Sequence, residues 1–304
     1  MKKPLKIGYT FGDLGGVGPE IFAKFYEANK DRKDIEIKLV DSELGYDSKK
    51  VTLGKASAYS GEHSYKTLVK ADQMIKAGEI DYLVTGPVAK ESLWLAGIQC
   101  SGQTELLAHI NGLSREEIEM FFILDNFRIV LATRHIPIAD VPTVLEERLE
   151  SVLKNSINAL EKVFKIHNPK IAVAGLNPHA GENGIIGLEE NKFMRASIEQ
   201  FKAQVNISGP YSADTLFAKA AQEFLHGSKN SKLPADLYVA AYHDQALSLI
   251  KGLGGLRAIN LTFGLPYTRL SVDHGTGFDI AGQNIASYEG LEACTDYANL
   301  LIRV

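Results

Sequence analysis

The chain has 304 residues, 45% hydrophobic and 23% charged, with a formal net charge of −4. Its basic residues are scattered, so there is no electrostatic case for nucleic acid, and no apolar run approaches the roughly 20 residues that span a bilayer. Two cysteines, Cys100 and Cys294, make neither a disulfide framework nor a zinc knuckle, and the opening MKKPLKIGYT lacks the apolar core of a secretory signal. A cytoplasmic enzyme or binding protein is the expectation.

Strand-type runs follow one another as LKIGYT, IEIKLV, DYLVTG, EMFFIL, FRIVLAT, KIAVAGL, DLYVAAY and RAINLTF. Between them, helical periodicity predicts helices over 62–77, 142–166, 188–204, 214–226 and 287–302. The alternation argues for an α/β protein on a mainly parallel sheet. The length allows one large domain or two lobes. Residues 41–60, DSELGYDSKKVTLGKASAYS, are polar and patternless, which predicts a flexible excursion. Asp214 stands where the helix over 214–226 needs an N-cap.

Three segments share one design: RIVLATRH, IAVAGLNPH and LYVAAYH each run an apolar strand into a histidine, His135, His179 or His243. In open α/β sheets, ligands bind beyond the carboxyl ends of the strands. A single histidine there more often satisfies local backbone groups than binds a ligand. Three in equivalent places, with Asp244 beside one of them, point to a borderline divalent ion such as Zn²⁺, Co²⁺ or Mn²⁺. His63, His109, His167 and His226 lie in helical or polar surroundings and are expected at the surface.

Several loops are glycine-rich: GDLGGVGPE, TGPVAKES, HAGENGIIGLEE and HGTGFDIAGQNIA. None has the G-x-G-x-x-G of a Rossmann dinucleotide site, and no Walker A lysine appears. HGTGFDIAGQNIA, however, closely resembles the adenosine-binding loop of isopropylmalate and isocitrate dehydrogenases, which bind NAD(P) without a Rossmann fold. That resemblance puts Asp279 where a carboxylate accepts hydrogen bonds from the adenosine ribose, favouring NAD over NADP, with His274, Gly275 and Gly282 also at the cofactor.

Taken together, GDLGGVGPEI, TGPVAKESL, GQTELLA, ATRHIPI, GLNPHAGENGIIGLEE, GPYSADTLF, YHDQAL and NLTFGLPYTRLSVDHGTGFDIAG run collinearly from residue 12 to 282. The set resembles the 4-hydroxythreonine-4-phosphate dehydrogenase, or PdxA, family. The resemblance implies residues 1–304 as one enzyme unit of two interleaved α/β lobes, isocitrate dehydrogenase-like. It also implies a homodimer whose active site lies at the subunit interface. The metal ligands it implies are His135, His179 and His243, holding one Zn²⁺, Mg²⁺ or Co²⁺ per site. Substrate contacts fall on Gln103, Thr104, Lys251, Asn260 and Arg269, and Asp214 takes the acidic position near the metal. Asp214, Asp244 and Lys251 are all chemically able to act as the base.

The implied reaction is NAD- and metal-dependent oxidation of 4-phosphohydroxy-L-threonine at its 3-hydroxyl. Decarboxylation to 3-amino-2-oxopropyl phosphate follows, in pyridoxal 5′-phosphate synthesis. Two departures bear on this. Gln103 replaces the histidine of the family's GHTE, and glutamine donates hydrogen bonds but carries no charge. The region from Val40 to Lys55 is also shorter than the resemblance leads one to expect. The alternative is a sister dehydrogenase acting on 4-phospho-erythronate or 4-phospho-threonate. A phosphate acetyltransferase shares a similar fold but leaves the histidines and the HGTGFDIAG loop without work.

Overall fold

The computed structural model describes residues 3–227 and 234–303. The chain divides into two compact units, one formed by Met1–Ile118 with Leu256–Val304 and the other by Glu119–Gly255.

The first unit opens with β1 (Leu5–Thr10), α1 (Gly18–Asn29), β2 (Ile35–Leu39), α2 (Asp41–Leu44), α3 (Ala58–Lys76), β3 (Tyr82–Thr85), α4 (Lys90–Leu95) and α5 (Gln103–Ile110). The second unit contains β4 (Glu119–Leu124), β5 (Phe127–Leu131), α6 (Val141–Lys162), β6 (Lys170–Ala174), α7 (Arg195–Glu199), β7 (Asn206–Tyr211), α8 (Ala213–His226), β8 (Leu237–Ala240) and α9 (His243–Gly254). The chain then returns to the first unit with β9 (Ile259–Phe263), β10 (Arg269–Val272) and α10 (Glu289–Arg303).

Strands of the first unit lie in the order β2-β1-β3-β10-β9, parallel except for the antiparallel β9–β10 pair. Those of the second lie in the order β4-β5-β8-β6-β7, parallel except for the β4–β5 hairpin. The α/β class and mainly parallel pairing expected from the alternation are what the chain adopts. All eight predicted strands are present, as β1 to β6, β8 and β9.

The helices follow from their apolar faces. In α6, Leu145, Leu149, Val152, Leu153, Ser156, Ala159 and Leu160 are buried, the spacing of one face of a 3.6-residue helix. Each fully buried leucine of that face contributes about 2 kcal/mol of transfer free energy. Pro142 sits in the first turn, where a missing N–H costs nothing. The same device starts α1 at Gly18-Pro19 inside a stretch that reads as a glycine loop. Helix α3 begins four residues earlier than expected, because the Ser57 hydroxyl caps it by accepting from the Ser60 N–H at 3.1 Å.

Two expectations need correction. Residues 41–60 are not a loose excursion: they hold α2, a short 3₁₀ turn at Ser48–Lys50 and the start of α3. His63 is not at the surface but 6% exposed, its Nε2 2.9 Å from Oδ1 of fully buried Asp41. The same carboxylate accepts the Phe11 N–H at 2.9 Å, tying the polar segment to the end of β1. His109, His167 and His226 are exposed, as expected.

Candidate active site

In the second unit the neighbouring parallel strands β5, β8, β6 and β7 present their carboxyl ends along one edge. Beyond those ends come, in the same spatial order, His135, His243, His179 and Asp214. The strand pairing continues past β5 and β8: Thr133 N–H donates to the Ala241 carbonyl at 3.2 Å and the Thr133 hydroxyl to the same oxygen at 2.8 Å. That zipper brings the His135 and His243 rings to 5.6 Å between centroids. His243 is the first residue of α9, and its Nδ1 stands 2.6 Å from the Asp244 carboxylate.

His179 reaches the same edge differently. From His179 to Asn183 five consecutive residues take left-handed backbone angles, φ 53°, 50°, 76°, 44° and 58°. Gly181 does so without penalty and Asn183 at little cost, while His179, Ala180 and Glu182 cost about 1–2 kcal/mol each, so this turn must be held by its surroundings. A cavity of about 380 Å³ beside it is lined by residues including His179, Asp214, Tyr242 and Gln245. Gln245 joins the strand ends, accepting the Ala241 N–H at 2.7 Å and donating to the Gly175 carbonyl at 2.8 Å.

Asp214 is not the N-cap of α8; Ser212 is, and Asp214 follows in the first turn. Its carboxylate accepts from the Ser212 hydroxyl and the Thr215 N–H. The Ser212 hydroxyl, then that N–H and the nearby His179, hold its pKa below the usual carboxylate value, so it is ionised at neutral pH.

A divalent ion fits the chemistry of these donors. Imidazoles on adjacent strand ends suit borderline metals, and a carboxylate on His243 Nδ1 leaves Nε2 to ligate, the usual outer-shell arrangement. Within one chain the structure pairs His135 with His243 and sets His179 beside Asp214. Among the described residues, no group of three His, Cys, Asp or Glu side chains is gathered tightly enough to hold an ion. Lys251 is exposed near the end of α9.

In the first unit β3, β10 and β9 turn a buried polar face toward α5. In the register, Arg269 lies opposite Thr262 and Ser271 opposite both Asn260 and Thr85. Arg269 has 0% exposure. Its guanidinium donates to Thr85 Oγ1 from Nη2 at 2.6 Å and Nε at 3.0 Å, and from Nη1 to Thr104 Oγ1 and Thr262 Oγ1, both at 3.1 Å. Burial draws its pKa down to about 10, which leaves it cationic at neutral pH. Among the described residues no carboxylate is hydrogen-bonded to it, and three hydroxyls solvate its charge. On the same elements, β9 and α5, the side-chain carbonyl oxygens of Asn260 and of Gln103, the first residue of α5, are buried without a hydrogen-bond donor among the described residues. Two unspent acceptors on the elements that hold a buried cation fit a ligand that carries hydrogen-bond donors.

The two outer glycine-rich stretches, more than 250 residues apart in sequence, pack together in this unit. Val17 N–H donates to the Thr276 carbonyl at 2.8 Å, and a Cβ on Gly16 would stand 2.5 Å from that oxygen. Glu20 on α1 accepts the Gly282 N–H at 2.9 Å, while Lys24 donates to the Asn284 and Ala286 carbonyls at 2.8 Å. Asp279 is exposed on this loop, and His274 Nδ1 lies 2.9 Å from the Gly275 carbonyl. Sequence reasoning missed Thr85 and Thr262, which carry Arg269, and Glu190, which carries the turn before His179. Thr85 and Thr262 lie in predicted strands and Glu190 in a predicted helix, and none of these assignments reports the contact the side chain makes.

The family described as pyridoxal phosphate biosynthetic protein PdxA matches residues 19–298. The chain is 37% identical to a 4-hydroxythreonine-4-phosphate dehydrogenase of Synechococcus sp. (strain JA-2-3B'a(2-13)), across 94% of each chain. It is 35% identical to a protein of Oceanobacillus iheyensis named as a candidate D-threonate 4-phosphate dehydrogenase, across 93% of each. A crystal structure of 4-hydroxythreonine-4-phosphate dehydrogenase from Klebsiella pneumoniae superposes with a TM-score of 0.81 at 28% identity, covering 100% of this chain and 99% of that one.

Proposed function

Since the chain belongs to the PdxA family of dehydrogenases, we propose that it oxidises 4-phosphohydroxy-L-threonine at its 3-hydroxyl with NAD and one divalent metal ion. The β-keto acid so formed then loses carbon dioxide to give 3-amino-2-oxopropyl phosphate, a step of pyridoxal 5′-phosphate synthesis. The observation that carries the reading is the run of His135, His243, His179 and Asp214 along four neighbouring strand ends.

In this reading His135, His179 and His243 hold the ion. When bound, the ion acts as a Lewis acid on the substrate hydroxyl and NAD accepts the hydride. The chain itself supplies charge, orientation and a proton acceptor. Gln103, Thr104, Asn260 and Arg269 are the substrate contacts proposed in the first unit and Lys251 on α9 the one proposed in the second, the two cationic groups suiting an anionic substrate. Asp214, ionised and next to His179, has the charge state a base requires; Asp244 and Lys251 are the other groups chemically able to take the proton. Asp279, with His274, Gly275 and Gly282, receives the adenosine end of NAD, and its carboxylate disfavours a 2′-phosphate. A homodimer with its active site at the subunit interface is supported by Ile185, Ile186 and Leu188, which are 84%, 45% and 64% exposed a few residues beyond His179.

Gln103 and the Oceanobacillus relative favour a second substrate, a phosphorylated sugar acid with a hydroxyl in place of the amine. Both ligands offer donors to the unspent Gln103 oxygen, so turnover decides. NADH formation is compared on 4-phosphohydroxy-L-threonine, D-threonate 4-phosphate and 4-phospho-D-erythronate. A kcat/KM highest on the first supports the proposal, and turnover confined to the other two refutes the substrate while keeping the dehydrogenase.

A further inference from the structure

The left-handed turn that carries His179 is gripped from beneath by a carboxylate with no assigned task. Glu190 is 1% exposed. Its Oε1 accepts the Asn177 N–H at 2.8 Å, and its Oε2 accepts from Asn177 Nδ2 at 2.9 Å. The same Nδ2 donates to Glu189 Oε2 at 2.7 Å. No ion pair reaches Glu190 among the described residues; its partners are these N–H donors at the foot of the turn. A Cβ on Gly181, within the turn, would stand 2.6 Å from Glu190 Oε2, and one on Gly175 would stand 3.1 Å from Oε1. Glycine at both positions leaves the carboxylate its place. Glu190 also opens a single wide turn at Glu190–Met194 with the hydrogen-bond span of a π-helix, a feature frequent at functional sites.

We propose that Glu190 is a positioning residue for His179: it clamps Asn177 so that the strained turn keeps the imidazole aimed at the strand-end edge. Burying an acidic side chain to hold two N–H groups of one residue is costly unless the geometry it fixes matters. Ala180 and Glu182 gain nothing from their left-handed backbone angles, so the turn depends on contacts such as this clamp. The inference rests on the reading of His179 as a metal ligand, and outer-shell residues of this kind typically change metal affinity 10- to 100-fold.

Cobalt is the probe. The metal-free protein is titrated with Co²⁺ and followed by its visible d–d absorption, for wild type, Glu190→Gln, Asn177→Ala and His179→Ala, with thermal unfolding of each metal-free protein. Glu190→Gln keeps one acceptor and turns the other into a donor facing Asn177 Nδ2. We expect its Co²⁺ Kd to rise about tenfold while the wild-type spectrum returns at saturation. Asn177→Ala, which removes the side-chain half of the clamp, shifts Kd in the same direction and serves if Glu190→Gln does not fold. An unchanged Kd in folded clamp variants, with His179→Ala binding weakened, overturns the positioning role alone. An unchanged Kd in His179→Ala overturns the ligand reading, and the positioning role with it.

Discussion

Replacing Thr85 by valine tests how the buried Arg269 is tolerated. Valine matches threonine in shape, so no cavity opens, and only the hydroxyl is lost. That hydroxyl accepts from both Nη2, at 2.6 Å, and Nε, at 3.0 Å. Thr104 and Thr262 both take Nη1, so neither can relieve the loss. A hydrogen bond to a charged group is worth about 1.5–3 kcal/mol, and here two are removed at a site with 0% exposure. Some of that returns through local adjustment, which leaves an expected destabilisation of about 2–4 kcal/mol. Thr85→Ser keeps the acceptor and gives up one methyl group, so it should cost no more than about 1 kcal/mol. Urea denaturation followed by far-ultraviolet circular dichroism reads both. A valine variant within about 0.5 kcal/mol of wild type, or a serine variant as weak as valine, would refute the claim that this hydroxyl carries the guanidinium.

Two further perturbations follow from charges elsewhere. Glu119 is fully buried, and burial raises its pKa against the pull of Arg148, whose Nη2 lies 3.0 Å from Oε1. Arg148→Ala leaves that carboxylate with only the Asn155 amide and the charge of Arg134 and should destabilise by about 3 kcal/mol, the low end for a broken buried pair, whereas adding Glu119→Gln should recover part of the loss in the same denaturation assay. In the first unit, hydrogen bonds from Arg32 lower the Asp34 pKa to about 2. The folded value lies below the ordinary carboxylate value, so this stability is present above about pH 4 and is lost as pH falls toward 2. Asp34→Asn should therefore flatten that acid limb of the stability–pH curve and leave its slope near neutrality unchanged.

The strands were legible because their apolar residues are continuous enough to mark them. Strand β7, NISGPY, and β10, RLSV, escaped for opposite reasons. The first carries Gly and Pro, which weaken any strand pattern. The second has four residues with a charged one among them, and only burial against three threonines explains Arg269 there. Helix α1 was hidden because its glycine and proline read as loop, although proline in a first turn is also a helix-start signal. His63 was misplaced because its partner Asp41 lies 22 residues away in a polar stretch, and no local pattern reports such a pair. The candidate site divides in the same way. Strand ends are local, so His135, His179 and His243 could be picked out from sequence. Their spatial order, and the roles of Thr85, Thr262 and Glu190, depend on strand order and turn geometry that the chain does not display.

The most direct test of the central claim is NADH formation from NAD and 4-phosphohydroxy-L-threonine, measured before chelation, after it, and after Zn²⁺, Mg²⁺ or Co²⁺ is restored. The account predicts turnover that disappears with the metal and returns with at least one of the three ions, and His179→Ala should not recover at the ion concentration that restores wild type. Full turnover in the chelated enzyme would contradict it.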